Sequence, residues 1–102
     1  MKIRQLKVAI EEFSEALAWY RDRSPRVAED LWLRVQDARH SIVLYPLASP
    51  LIERRVRRFI LSGFPYDLIY VVLSDEIVIV AFAHHSRQPH YWKSRLESKS
   101  KN

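Results

Sequence analysis

The sequence predicts an α+β fold: a short N-terminal strand, an antiparallel helical hairpin, then three antiparallel strands forming a curved sheet. Apolar residues in the first half recur at steps of three and four, the spacing of one helix face. The second half instead holds nearly continuous apolar runs bounded by turn residues, the pattern of buried strands. Length supplies the third observation, since 102 residues make one domain with little room for a second. A single domain over 1–97 is expected, followed by a mobile tail over 98–102 that is rich in Lys and Ser.

Residues 2–6 alternate charged and apolar side chains, which suits a strand at a sheet edge. Over 8–23 the residues Ile10, Phe13, Leu17 and Tyr20 mark the apolar face of a first helix. Glu11, Glu12 and Glu15 crowd its first half and Arg21 and Arg23 close it, an order that complements the helix dipole. Ser24 and Pro25 then supply a hydroxyl cap and a proline at the first helical position, where no N–H is missed. Val27, Leu31, Val35, Ala38, Ile42 and Tyr45 carry the face of a second helix as far as Pro46. A link as short as Arg23 to Ser24 forces the two helices to pack side by side. Trp19 and Trp32, one on each helix, are expected to pack between them.

Beyond Pro46 and Pro50, strands are expected over 55–61, 66–73 and 77–85, with turns at 62–65 and 74–76. Such short turns make the strands antiparallel neighbours. The runs 68–73 and 77–82 read as central strands buried on both faces, with the hairpin covering one of them.

Composition excludes several functions. Cys 0 rules out disulfide scaffolds, thiolate metal sites and cysteine nucleophiles, and it suits a reducing, cytoplasmic compartment. Gly 1 rules out the P-loop and the dinucleotide fingerprint, which need several glycines so that backbone can approach phosphate, and no cofactor is expected. The longest apolar run, 77–83, is far short of the about 18 residues of a membrane span. No export signal is visible, because Lys7, Glu11 and Glu12 interrupt any apolar stretch after the charged start. Net charge is +5, with eight Lys and Arg against seven Asp and Glu over 1–48, and nine against five over 49–102. The second half therefore carries the field, which attracts an acidic protein or nucleic acid phosphate.

The densest charge is Arg54-Arg55-Val56-Arg57-Arg58. On a strand Arg55 and Arg57 would share one face and Arg54 and Arg58 the other. With Arg87, these arginines are the candidate partner-binding residues, meeting carboxylates or phosphates through bidentate guanidinium groups. His84 and His85 point to opposite faces at a strand end, and no carboxylate or thiol stands at ligand spacing to them or to His90, so no metal site is expected. His84 is expected to hold the loop 86–89 through a hydrogen bond inside the fold, leaving His85 as the exposed imidazole able to move a proton. Tyr91 and Trp92 either stack on bases or dock the chain terminus on the core, the commoner use of such residues. No hydroxyl lies in a nucleophile-elbow sequence, and the helical glutamates suggest no catalytic pair.

Several segments together resemble the RelE/ParE toxins of type II toxin-antitoxin pairs. They are Glu15-Ala16-Leu17-Ala18-Trp19-Tyr20 followed by Ser24-Pro25, Arg57-Arg58, and Phe64-Pro65-Tyr66 with Ile69-Tyr70. Ala83-His84, Ser86-Arg87, Pro89 and Tyr91-Trp92 complete the likeness, which spans nearly the whole chain and includes the element order. The resemblance implies a small bacterial toxin silenced by a cognate antitoxin, acidic and partly disordered alone, in a hetero-oligomer. RelE-like members cut messenger RNA on the ribosome, and ParE-like members inhibit DNA gyrase. The ribonuclease branch usually keeps an arginine in the strand motif that reads Tyr66-Asp67-Leu68-Ile69-Tyr70 here. Asp67 cannot supply the positive charge that steadies a phosphorane-like transition state, so the likeness is closer to the ParE-like branch. Were the chain a ribonuclease, Arg57 or Arg58 would hold phosphate, His85 would move a proton and Arg87 would steady charge, with Tyr91 nearby.

Overall fold

The computed structural model describes residues 1–100, with side chains described through Leu96. The expected tail falls on 98–102, whose side chains lie outside the described residues.

The order is β1 (Lys2–Gln5), α1 (Lys7–Arg23), α2 (Pro25–Leu44), β2 (Leu51–Glu53), β3 (Val56–Ile60), β4 (Tyr66–Val72), β5 (Glu76–His84) and α3 (Lys93–Ser100). One sheet runs β1-β5-β4-β3-β2, with β1 parallel to β5 and every other pair antiparallel. This is the expected α+β architecture, strand then hairpin then sheet. Two elements are additional: the edge strand β2, only three residues long, and α3.

The hairpin forms where capping chemistry places it. Ser24 Oγ accepts from the Val27 N–H at 3.3 Å, with Pro25 next in the chain. The buried face of α2 is Ala28, Leu31, Val35, Ala38 and Ile42, close to the expected set. On α1 the buried positions are Ala9 and Ala16, with Phe13, Leu17 and Tyr20 packed beside them, whereas Ile10 is 48% exposed. Small side chains let α1 lie close to β5, and that close approach turns Ile10 outward. Trp19 and Trp32 also depart from expectation. They are 52% and 48% exposed rather than packed between the helices. Alanines occupy the close approach, and Trp19 instead takes the Arg23 guanidinium over its ring at 3.7 Å.

The sheet is buried on both faces. Leu68, Tyr70, Ile77, Ile79 and Phe82 face the hairpin, and Val56, Ile69, Val71, Val78, Val80, Ala81 and Ala83 face away, against Trp92. A bulge in β5 changes the phase between them. Tyr70 pairs with Ile79 and Ile69 with Ala81, so Val80 is an extra residue and the alternation shifts by one beyond it. Phe82 and His84 consequently face the hairpin side, and Ala83 and His85 the opposite side.

β1 accompanies β5 only as far as Ile79, where the Leu6 N–H donates to the Ile79 carbonyl. Past that point two side chains take the place of a strand. Glu12 Oε1 accepts from the Phe82 N–H at 3.1 Å, and Arg95 donates to the Val80 carbonyl at 2.9 Å. These bonds satisfy buried backbone groups that would otherwise be orphaned at a sheet edge.

Candidate functional site

The face of the sheet away from the hairpin opens into a cleft of about 390 Å³ lined by Arg58, Ile60, Asp67, His85, Arg87 and His90 among others. Strand register explains the grouping. Arg58 lies opposite Ile69, Ile60 opposite Asp67, and Asp67 opposite Ala83, so Arg58, Asp67 and, beyond the bulge, His85 share one face.

Asp67 is buried, at 8% exposure, and its Oδ1 lies 3.0 Å from His85 Nε2. A carboxylate only accepts, so Nε2 carries the hydrogen and Nδ1 of the neutral ring is left as an acceptor. The other oxygen of Asp67 lies 3.8 Å from Arg58 Nε, close enough for an ion pair and too far for a hydrogen bond. Arg58 Nε is itself buried without a hydrogen-bond partner. The arrangement can hold an imidazole in one orientation and take up a proton at Nδ1. Its carboxylate also opposes the charge of the neighbouring Arg58.

The other candidates are distributed around this centre. Arg57 points to the hairpin side, where its guanidinium donates to the Leu47 and Ser49 carbonyls at 3.0 and 2.7 Å. Arg54 and Arg55 form the turn between β2 and β3 rather than strand positions, because the bulged pairing of β2 with β3 begins the strand at Val56. Arg87 stacks over the Tyr91 ring at 3.9 Å, with Nη1 3.8 Å from Glu12. Tyr91 donates its hydroxyl to Glu12 at 2.6 Å. Burial, then that bond to a carboxylate, pushes the phenol well above its ordinary value and leaves it a poor proton donor. His84 Nδ1 accepts from the Ser86 N–H at 2.9 Å, and its ring meets Tyr66 edge-on, which holds the loop as expected. Trp92 is 3% exposed and docks the C-terminal segment on the sheet.

The helix dipole alone does not account for Glu12. It lies past the first turn of α1 and instead gathers Phe82, Tyr91 and Arg95, the last through both terminal nitrogens at 2.9 and 3.0 Å. The signal for this is its place between Ala9 and Ala16 on the buried face, where a charge must find partners. Glu53 makes a second attachment, meeting His90 and, at 3.1 Å, Lys93. The hydrogen bonds from His90 and Lys93 hold its carboxyl below the usual range.

No family model and no curated protein matches the sequence. Among solved structures, the chain is similar to one described as "Chromosomal ParDE TA system from P. aeruginosa". The TM-score is 0.62 at 18% identity, and the alignment covers 82% of this chain and 95% of that one. The fold is thus the RelE/ParE-like one, shared with a chain of a toxin-antitoxin structure. Among the described residues, no helix is long and apolar enough to cross a membrane.

Proposed function

We propose that this chain is the toxin of a bacterial type II toxin-antitoxin pair, of the ParE-like kind, which binds and poisons a target such as DNA gyrase. Asp67 is the observation that carries the choice of kind. It sets a buried negative charge between Arg58 and His85, where cleavage of RNA would bring a phosphate that needs positive charge. The likeness to a ParDE structure supports the toxin-antitoxin part, and the basic second half supports an acidic, partly disordered antitoxin in a hetero-oligomer. Expression of the chain alone should arrest bacterial growth, and co-expression of the product of a small adjacent reading frame should restore it. Harmless expression alone would contradict the proposal.

One observation favours a second reading, a ribosome-dependent endoribonuclease. His85 is oriented by Asp67 with Nδ1 free, in a cleft that also holds Arg58 and Arg87, an arrangement suited to general-base work. Under that reading His85→Ala abolishes message cleavage while the fold survives.

A further inference from the structure

A second cleft, of about 500 Å³, lies on the hairpin side of the sheet, between α1 and the ends of β4 and β5. Its walls are aromatic: Trp19 and Tyr20 come from α1, Tyr66 from the start of β4 and Phe82 from β5 beyond the bulge. Trp19 meets Tyr20 edge-on at 4.9 Å, and Tyr66 stacks on Phe82 at 4.4 Å. Phe82 is buried, whereas the indole of Trp19 stays half exposed beside the recess.

Of the three charged side chains that line this cleft, two are engaged within the fold. Glu12 holds the Phe82 N–H, Tyr91 and Arg95, and Arg87 lies over the Tyr91 ring. His84 spends the lone pair of Nδ1 on the Ser86 N–H. Glu15 is the third charge. It is exposed, stands one helical turn before Trp19, and makes no hydrogen bond or ion pair among the described residues. A carboxylate only accepts hydrogen bonds, and the face of an aromatic ring carries negative charge density, so both attract a cation. The chain already shows the match, since the Arg23 guanidinium lies 3.7 Å from the centre of the Trp19 ring. A guanidinium suits such a cleft better than an ammonium does, because it offers a flat body to the rings and a fork of N–H donors to the carboxylate.

We propose that this cleft binds an alkylguanidinium, free or as an arginine side chain, with its charge against Glu15 and its plane against the aromatic wall. The inference concerns the opposite face of the sheet, and the opposite charge of ligand, from the cleft around Asp67. It does not rest on the toxin reading.

Nitrogen-15 NMR of the chain in low salt, titrated with butylguanidinium, tests this. The indole N–H signal of Trp19 should move saturably while that of Trp32 stays still, with a dissociation constant of about 1–10 mM, the scale for so few ligand atoms. Neutral butylurea, of nearly the same shape, should bind about 5–20-fold more weakly. Glu15→Gln should weaken butylguanidinium binding about 3–10-fold in low salt and less in high salt. Trp19→Leu, followed on backbone signals, should weaken it about 2–5-fold. Four results would overturn the proposal: no saturable shift, equal binding of butylurea, unchanged affinity in Glu15→Gln, or inorganic phosphate moving the same signals at lower concentration. Within the proposal, tighter binding of a blocked Gly-Arg-Gly tripeptide than of butylguanidinium identifies the ligand as an arginine side chain, and equal or weaker binding identifies a free cation.

Discussion

Asp67 and His85 meet at 3.0 Å on the sheet face that the helical hairpin leaves uncovered, with Arg58 3.8 Å from the other oxygen of the same carboxylate. One buried negative charge therefore stands between two groups that could otherwise hold an anion. Replacing it isolates its effect. Asp67→Asn should raise the affinity of the chain for single-stranded RNA in low salt by about 3–10-fold, the change expected for one charge lining an open cleft. Fluorescence anisotropy with a labelled oligoribonucleotide checks this, and unchanged affinity would mean that the carboxylate is not what keeps phosphate away.

Glu12 holds the chain's end to its beginning, joining α1 to Tyr91, to Arg95 and to the open edge of β5. Glu12→Gln should lower the free energy of unfolding by about 2–3 kcal/mol, since charge-assisted bonds are lost and Arg95 keeps its charge in a confined place. Urea denaturation monitored by circular dichroism measures the change. A loss below about 0.5 kcal/mol would show that the attachment contributes little.

The same carboxylate makes stability depend on acid. Burial alone would raise its pKa, but hydrogen bonds from Arg95, Tyr91 and the Phe82 N–H outweigh burial and hold it below the ordinary 4.5. A folded value below the unfolded one means that Glu12 stabilises the fold fully above about pH 4.5 and loses this contribution as pH falls through the folded value. The chain should thus lose stability more steeply as pH falls below about 5 than Glu12→Gln does. Parallel slopes would remove Glu12 from the acid response.

The three tryptophans should separate by accessibility. Trp19 and Trp32 are about half exposed and Trp92 is 3% exposed. Acrylamide should quench the first two readily and leave a protected fraction that disappears in Trp92→Phe. Trp92→Ala should cost about 3–5 kcal/mol, the range for emptying an aromatic site in a core, and Trp32→Phe under about 1 kcal/mol.

Much of this fold was legible because it rests on local chemistry. Ser24 and Pro25 announced the hairpin, and the runs within β4 and β5 announced the centre of the sheet. β2 escaped notice because three residues, Leu51 to Glu53, carry no periodicity. The bulge at Val80 escaped because an extra residue within an apolar run leaves the pattern apolar, yet it sets the faces on which His84 and His85 lie. Within the site, His85 and Arg58 were visible as residue types. Their meeting with Asp67 is a product of register between β3, β4 and β5, which no spacing along the chain encodes. The roles of Glu12 and Arg95 likewise depend on contacts 83 positions apart.

The central claim is that this chain poisons a target by binding it, and one paired measurement on a single purified preparation tests it most directly. Gyrase supercoiling of plasmid DNA is followed beside primer extension on messenger RNA translating on ribosomes. The account predicts loss of supercoiling with intact message. Cleaved message with normal supercoiling would contradict it and would place His85, held by Asp67, at the centre of a ribonuclease.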